Sequence, residues 1–219
     1  MAELSGPRRA AKSGNARYLV VFLHGYGADG NDLIGLADPL AEHLPDVVFH
    51  APNAPQRCTG NPMGFQWFSI PWLDGSSEAE SMEGMAAASS LLNAWLDETM
   101  AAEGIDAAHT ILVGFSQGTM MALQIAPRRE DALAGIVGFS GRLLAPELLE
   151  AEAVTHMPIL LIHGDADEVV PPQSLPEAAD ALTKAGFEVY THISKGMGHG
   201  IGQDGLQMAF QFIHRQLGL

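Results

Sequence analysis

Four short stretches of this 219-residue chain hold side chains whose types and spacing suit acyl transfer. The densest is Gly114-Phe115-Ser116-Gln117-Gly118, which follows the apolar run Ile111-Leu112-Val113 and precedes a segment of helical character. A serine at such a strand-to-helix bend is pushed outward on a strained turn, and the flanking glycines leave room for that turn to close. A serine hydroxyl is a weak nucleophile at neutral pH, so it needs a base to take its proton. His199 is the expected base. It sits between Gly198 and Gly200 on a loop after the last apolar run, where the ring has room to turn. Other histidines occupy less useful places: His43 near a helix end, His109 before a strand, His192 within one, His214 in the terminal helix. His24 and His163 end strands but lead into other loops of the site.

The base needs an acid to hold its tautomer. Asp165, Asp167 and Glu168 compete for that role. Asp167 is preferred, because Asp165 follows the strand so closely that it suits stabilising the turn. Negative charge on the reacting carbonyl oxygen needs backbone N–H donors. Gln117 is one, at the start of a helix whose dipole favours an anion; Tyr26, in the glycine-dense loop His24-Gly25-Tyr26-Gly27, is the other. The order Ser116, acid, His199 differs from that of the unrelated serine proteases.

The elements that must position these residues follow from periodicity. Tyr18 to His24 and Ile159 to His163 are continuous apolar runs of strand length, as in strands covered on both faces. Further strands are expected at 46–50, 110–114, 133–140 and 187–193. Helices are expected after Asn31 or Asp32 and over 76–103, 117–126, 173–185 and 203–216. The alternation predicts an α/β fold, with a mostly parallel sheet, helices on both faces and no separate lid domain. Reactive groups then gather at the carboxyl ends of the strands. Residues 1–17 read as a polar N-terminal segment with an edge strand or hairpin before Gly6-Pro7, and residues 18–219 as one domain. On the helix over 76–103 the stripe Met82, Met85, Leu92, Trp95, Leu96 and Met100 reads as core packing, and Ser77 with Glu80 as its capping box. The long stretch Gln56 to Gly75 is irregular and aromatic. Its Met63, Phe65, Trp67 and Phe68, with Val170 beside the acid, are the expected walls of an apolar substrate pocket.

Composition narrows the partners. A chain that is 47% hydrophobic can bury a large core, while a net charge of −15 repels nucleic acid and anionic membrane surfaces. No apolar window is long enough to span a bilayer, so stable membrane insertion is not expected. The single cysteine, Cys58, excludes an internal disulfide, and with the polar N-terminus it favours a cytoplasmic location.

At these residues the chain resembles the α/β-hydrolase family of small carboxylesterases, lysophospholipases and acyl-protein thioesterases. The likeness runs from Leu19 onward. It rests on Leu23-His24-Gly25-Tyr26-Gly27, Pro52-Asn53-Ala54-Pro55, Gln66-Trp67-Phe68, Gly114-Phe115-Ser116-Gln117-Gly118, His163-Gly164-x-x-Asp167-x-x-Val170-Pro171 and Gly198-His199-Gly200. The resemblance implies the α/β-hydrolase fold and a Ser116, Asp167, His199 triad, with Tyr26 and Gln117 as oxyanion donors and neither metal nor organic cofactor. Many members carry leucine where Tyr26 stands. The expected activity is that of a serine carboxylesterase on small to medium acyl esters, with thioester or lysophospholipid cleavage as the alternative. A non-catalytic binding module on the same scaffold would not need serine, acid and histidine all at strand ends. The partner is a small-molecule or lipid-like ester, and a homo-oligomer is compatible with the sequence.

Overall fold

The structure, a computed structural model, describes residues 4–219. Its main sheet has seven strands: β1 (Arg8–Arg9), β2 (Tyr18–Leu23), β3 (Val47–His50), β6 (Thr110–Phe115), β7 (Gly135–Phe139), β8 (Ile159–Gly164) and β9 (Val189–Ser194). A separate hairpin pairs β4 (Gln56–Arg57) with β5 (Phe65–Gln66). The order across the main sheet is β1-β3-β2-β6-β7-β8-β9, and every pair is parallel except β1 with β3. After β2 the chain moves one way to β3 and later returns to lay β6 on the opposite side of β2. The carboxyl ends of β2 and β6 therefore flank a topological switch point, where such sheets leave a crevice.

Side-chain alternation along the strands feeds two cores. Leu19, Val21 and Leu23 of β2 join Leu112, Ile136 and Leu161 on one face, under α4 (Glu78–Glu103), α5 (Gln117–Ile125), α6 (Pro146–Glu152) and α7 (Ser174–Lys184). Tyr18, Val20 and Phe22 join Val113, Val137 and Ile162 on the other, under α1 (Gly30–Ile34), α2 (Ala37–Ala41) and α8 (Gln203–Gln216). Burial on both faces explains why these strands read as unbroken apolar runs.

Local departures from expectation have local causes. The edge strand lies after Gly6-Pro7, not before it, and is tied down by an Arg8 fork to Glu103 at 2.7 and 2.9 Å. Part of the expected position, Met1 to Glu3, lies outside the described residues. The first helix is capped by Asp29, two or three residues earlier than Asn31 or Asp32, through a capping box with Asp32. It then breaks into α1 and α2. The stretch 56–75 is less irregular than its prolines suggest, since it holds the β4–β5 hairpin and α3 (Pro71–Asp74). The expected capping box of Ser77 and Glu80 starts α4.

Candidate active site

Ser116 stands between β6 and α5 with φ 54° and ψ −115°. An L-residue holds this strained conformation, at about 1–3 kcal/mol, only where its surroundings leave no alternative. Here they do. A Cβ on Gly114 would lie 2.4 Å from the Thr119 nitrogen, and one on Gly118 would lie 1.9 Å from the Leu23 oxygen. The Ser116 N–H is also fixed, donating to Phe139 O at the end of β7 (2.8 Å). Ser116 is 8% exposed, so its hydroxyl is largely screened from solvent.

Asp167 and His199 arrive from the ends of β8 and β9. His199 Nδ1 donates to Asp167 Oδ2 at 2.8 Å, and the His199 ring packs against Phe115, the residue before the serine, with centroids 4.9 Å apart. The other carboxylate oxygen accepts the N–H groups of Val169 and Val170, both at 2.9 Å. Burial pushes the Asp167 carboxyl up, but the His199 hydrogen bond and the two N–H groups outweigh it and hold the group below the ordinary aspartate value. The acid thus stays ionised. Asp165 is occupied elsewhere: its Oδ1 accepts the Gly196 N–H at 2.6 Å, joining the two loops that carry the acid and the histidine.

The loop after β2 lies against the serine. A Cβ on Gly25 would sit 3.3 Å from Ser116 Cβ. Among the described residues, neither the Tyr26 N–H nor the Gln117 N–H donates to a backbone or side-chain acceptor. The first N–H groups of a helix are left without intrahelical acceptors, which accounts for Gln117. Tyr26 is held open by His24. His24 is buried, accepts the Ala54 N–H at Nε2 (2.9 Å), and therefore carries its proton on Nδ1, which donates to Gly25 O (2.8 Å). No peptide bond is cis. In a trans unit C=O and N–H point in opposite directions, so anchoring the Gly25 oxygen on His24 turns the Tyr26 N–H away from it. Burial keeps the His24 pKa below the ordinary histidine value, against the Gly25 hydrogen bond and the charges of Asp29 and Asp32.

Other motif residues brace this loop. Asn53 Oδ1 accepts the Gly30 N–H (2.8 Å), Asn61 Nδ2 donates to Gly27 O (2.8 Å), and the Trp67 indole N–H donates to His24 O (3.0 Å). The Tyr26 phenol reaches Asp74 Oδ2 at 3.4 Å; burial, then Cys58 and Asp74, push its pKa up. The Gln117 side chain is a clamp, accepting from Trp67 N (2.9 Å) and donating to Phe68 O (2.8 Å).

Two cavities lie near the serine turn, neither lined by Ser116 itself: one borders Gly25 and Phe115, the other Met120 of α5. The larger, about 490 Å3, is lined by Phe68, Ile70, Trp72, Met82, Met85 and Met120 among others. The smaller, about 350 Å3, lies between Gly25, Leu33, Leu36, Phe115 and Ile201. Of the five residues expected to wall the substrate pocket, only Phe68 lines the larger cavity. Trp67 is wholly buried, because its indole is spent on His24 and the core. Phe65 stacks under the Arg57 guanidinium at 4.3 Å as part of the hairpin. Met63 points to solvent at the hairpin tip, 83% exposed, and Val170 is buried behind the acid. The larger cavity is lined instead by Met82 and Met85 among others. These begin the stripe expected to pack in the core; Met85 is half-buried and does pack against it, whereas Met82 is 66% exposed. Among the described residues, no group of three or more His, Cys, Asp or Glu side chains could hold a metal ion.

Comparison with known proteins finds relatives along nearly the whole chain. The family model described as phospholipase/carboxylesterase matches residues 6–217. Acyl-protein thioesterase 1 of Saccharomyces cerevisiae is 30% identical, over 98% of this chain and 99% of the yeast protein. Esterase YpfH of Escherichia coli is 27% identical, over 90% and 82%. Among solved structures, esterase PE8 superposes with a TM-score of 0.93 at 46% identity, covering 98% of this chain and all of that one. SOBER1 of Arabidopsis thaliana shares the fold at 24% identity, with a TM-score of 0.78 and coverage of 92% and 100%.

Proposed function

The chain belongs to the phospholipase/carboxylesterase family of α/β-hydrolases and is an esterase-type hydrolase; from that premise we propose that Ser116, His199 and Asp167 form its triad and that it cleaves small to medium acyl esters. The observation that carries the reading is the 2.8 Å pairing of His199 Nδ1 with a buried, ionised Asp167, which leaves Nε2 for another partner on a ring tilted against Phe115, the residue before the serine.

In this mechanism Ser116 Oγ attacks the ester carbonyl carbon while His199 Nε2 takes its proton. Asp167 stabilises the resulting imidazolium and keeps the proton on Nδ1 without itself becoming protonated. The carbonyl oxygen gains the negative charge and meets the N–H groups of Tyr26 and Gln117. Collapse breaks the carbonyl–alkoxy bond, and His199 returns its proton to the departing alcohol oxygen. Water then repeats the sequence on the acyl-Ser116 ester, releasing the carboxylic acid and the serine. The acyl part takes the larger apolar cavity, whose 490 Å3 is within the range of small-molecule sites, and the alcohol part the smaller one.

Ser116→Ala tests the reading. Turnover of a short nitrophenyl ester and labelling by a fluorophosphonate should both vanish with the thermal midpoint unchanged; a variant that keeps near-parental turnover refutes it. A second reading, thioester cleavage on acylated proteins, is favoured by the several fungal relatives named acyl-protein thioesterase and by the apolar groove. Rates on a short nitrophenyl ester against a long acyl thioester separate the two.

A further inference from the structure

The mechanism gives no task to His163, the last histidine before the loop that carries the acid. Its ring is 3% exposed and the Asp167 side chain is fully buried. We propose that His163 is a positioning residue for Asp167, its Nε2–H anchoring the carbonyl of Val170 while the same ring edge rests against the carboxylate oxygen that receives His199; the inference rests on the triad proposed above.

The proton assignment comes from the ring's other neighbour. His163 Nε2 lies 2.9 Å from Val170 O, and a carbonyl oxygen can only accept, so Nε2 carries the hydrogen. The same nitrogen lies 3.3 Å from Asp167 Oδ2. The hydrogen is thus spent on the Val170 carbonyl, and the ring edge that carries it stands against Oδ2. Val169 and Val170 fix Oδ1 from the backbone. With Oδ1 alone anchored, the carboxylate plane can still turn about that oxygen and carry Oδ2 away from His199. His163 packs against Oδ2 and ties down the carbonyl of Val170, whose own N–H holds Oδ1. Because ring and carboxylate are both closed to solvent, a water cannot replace the lost donor without a cavity being made for it. His163 touches no part of the space assigned to substrate next to Ser116. Its loss should therefore slow the chemical step and leave substrate binding alone.

Two substitutions separate this role from simple closure of the loop. In His163→Gln the amide NH2 reaches the place of Nε2; in His163→Met the volume is kept and the donor is gone. His163→Met should lower kcat on the order of tenfold, the upper end of what one buried hydrogen bond supplies, with KM changed less than about twofold. His163→Gln should stay within about threefold of the parent. A folded His163→Met enzyme with parental kcat overturns the proposal, and so does an equal loss in both variants. If His163→Met does not fold, the tautomer decides. Long-range proton–nitrogen correlation on the histidine-labelled parent should find His163 protonated on Nε2, and protonation on Nδ1 overturns it. An inactive Ser116→Ala beside a fully active His163→Met would leave the triad standing and remove only this inference.

Discussion

His24 offers a sharp test of how the oxyanion donors are aimed, because its two ring nitrogens do separable work. Nδ1–H holds the Gly25 oxygen at 2.8 Å and so directs the Tyr26 N–H, while Nε2 satisfies the buried Ala54 N–H at 2.9 Å. In His24→Gln an amide oxygen can stand where Nε2 stood, but nothing donates from the place of Nδ1. In His24→Asn the amide NH2 replaces Nδ1–H, and Ala54 loses its acceptor. An oxyanion donor is worth about 10²–10³ in kcat. The Gly25 oxygen keeps a weaker second donor, the Ala28 N–H at 3.3 Å, so the aim is only partly lost. His24→Gln should cost on the order of 10- to 100-fold in kcat, with a small change in stability. His24→Asn should keep most of kcat and lose about 1–3 kcal/mol, the cost of an orphaned buried donor. Steady-state turnover of a nitrophenyl ester and thermal unfolding followed by circular dichroism read the two effects. Parental kcat in His24→Gln, or equal slowing in both variants, would refute the reasoning. The ring also sets a pH dependence. Its folded pKa is depressed by burial, so the unfolded chain binds a proton first. Its stabilisation is complete above the unfolded value of about 6.5 and is lost as pH falls through the folded value. His24→Asn should flatten the fall in stability over that interval.

Glu103 should dominate a second, more acidic window. The Arg8 hydrogen bond, opposed by burial and aided by His50, holds its carboxyl at about 2. Its contribution is full above the unfolded value of about 4.5 and is lost as pH falls to about 2. Glu103→Gln should cost about 1–2 kcal/mol at pH 7 once solvent screening is allowed for, and nothing near pH 2, as denaturant titrations at the two pH values would show. Trp67 and Met82 should behave in opposite ways. Trp67→Ala opens the core and should cost about 3–5 kcal/mol, whereas Met82→Ala should leave stability within about 0.5 kcal/mol. Met82→Ala should instead lower kcat/KM for long relative to short acyl esters by about fivefold, the value of about 1 kcal/mol of apolar contact. An unchanged chain-length profile in a competition assay would remove the larger cavity from the acyl role.

Much of the fold was legible because burial on both faces leaves a direct trace. Runs such as Tyr18 to Leu23 have no polar alternation, and their regular exchange with helical segments allows few topologies. The loop that separates Asp165 from Asp167 was legible too, since an aspartate just past a strand end suits a turn and the next one is free to point elsewhere. The pocket walls were not. An aromatic loop looks the same whether its rings face a ligand or the core, and only the packing of Trp67 on His24 sends that ring inward. The same ambiguity hid Met82 and Met85, which continue the apolar stripe of Leu92 and Leu96 on α4 yet line the larger cavity, Met85 while also packing against the core. His24 and His163 carried one usable signal, a histidine followed by glycine at a strand's carboxyl end. Their tautomers depend on carbonyl and amide groups 7 to 30 residues away.

The sequence by itself determined the strained serine turn, the order of serine, acid and histidine, and the alternation of strand and helix, because each is a local demand of backbone sterics or side-chain period. The tertiary structure alone decided which way the Tyr26 N–H points, which carboxylate oxygen meets His199, and which apolar side chains face a cavity. Those are relations between segments brought together only when the sheet closes its crevice, and hydrogen-bond direction and burial have no meaning until both partners are in place.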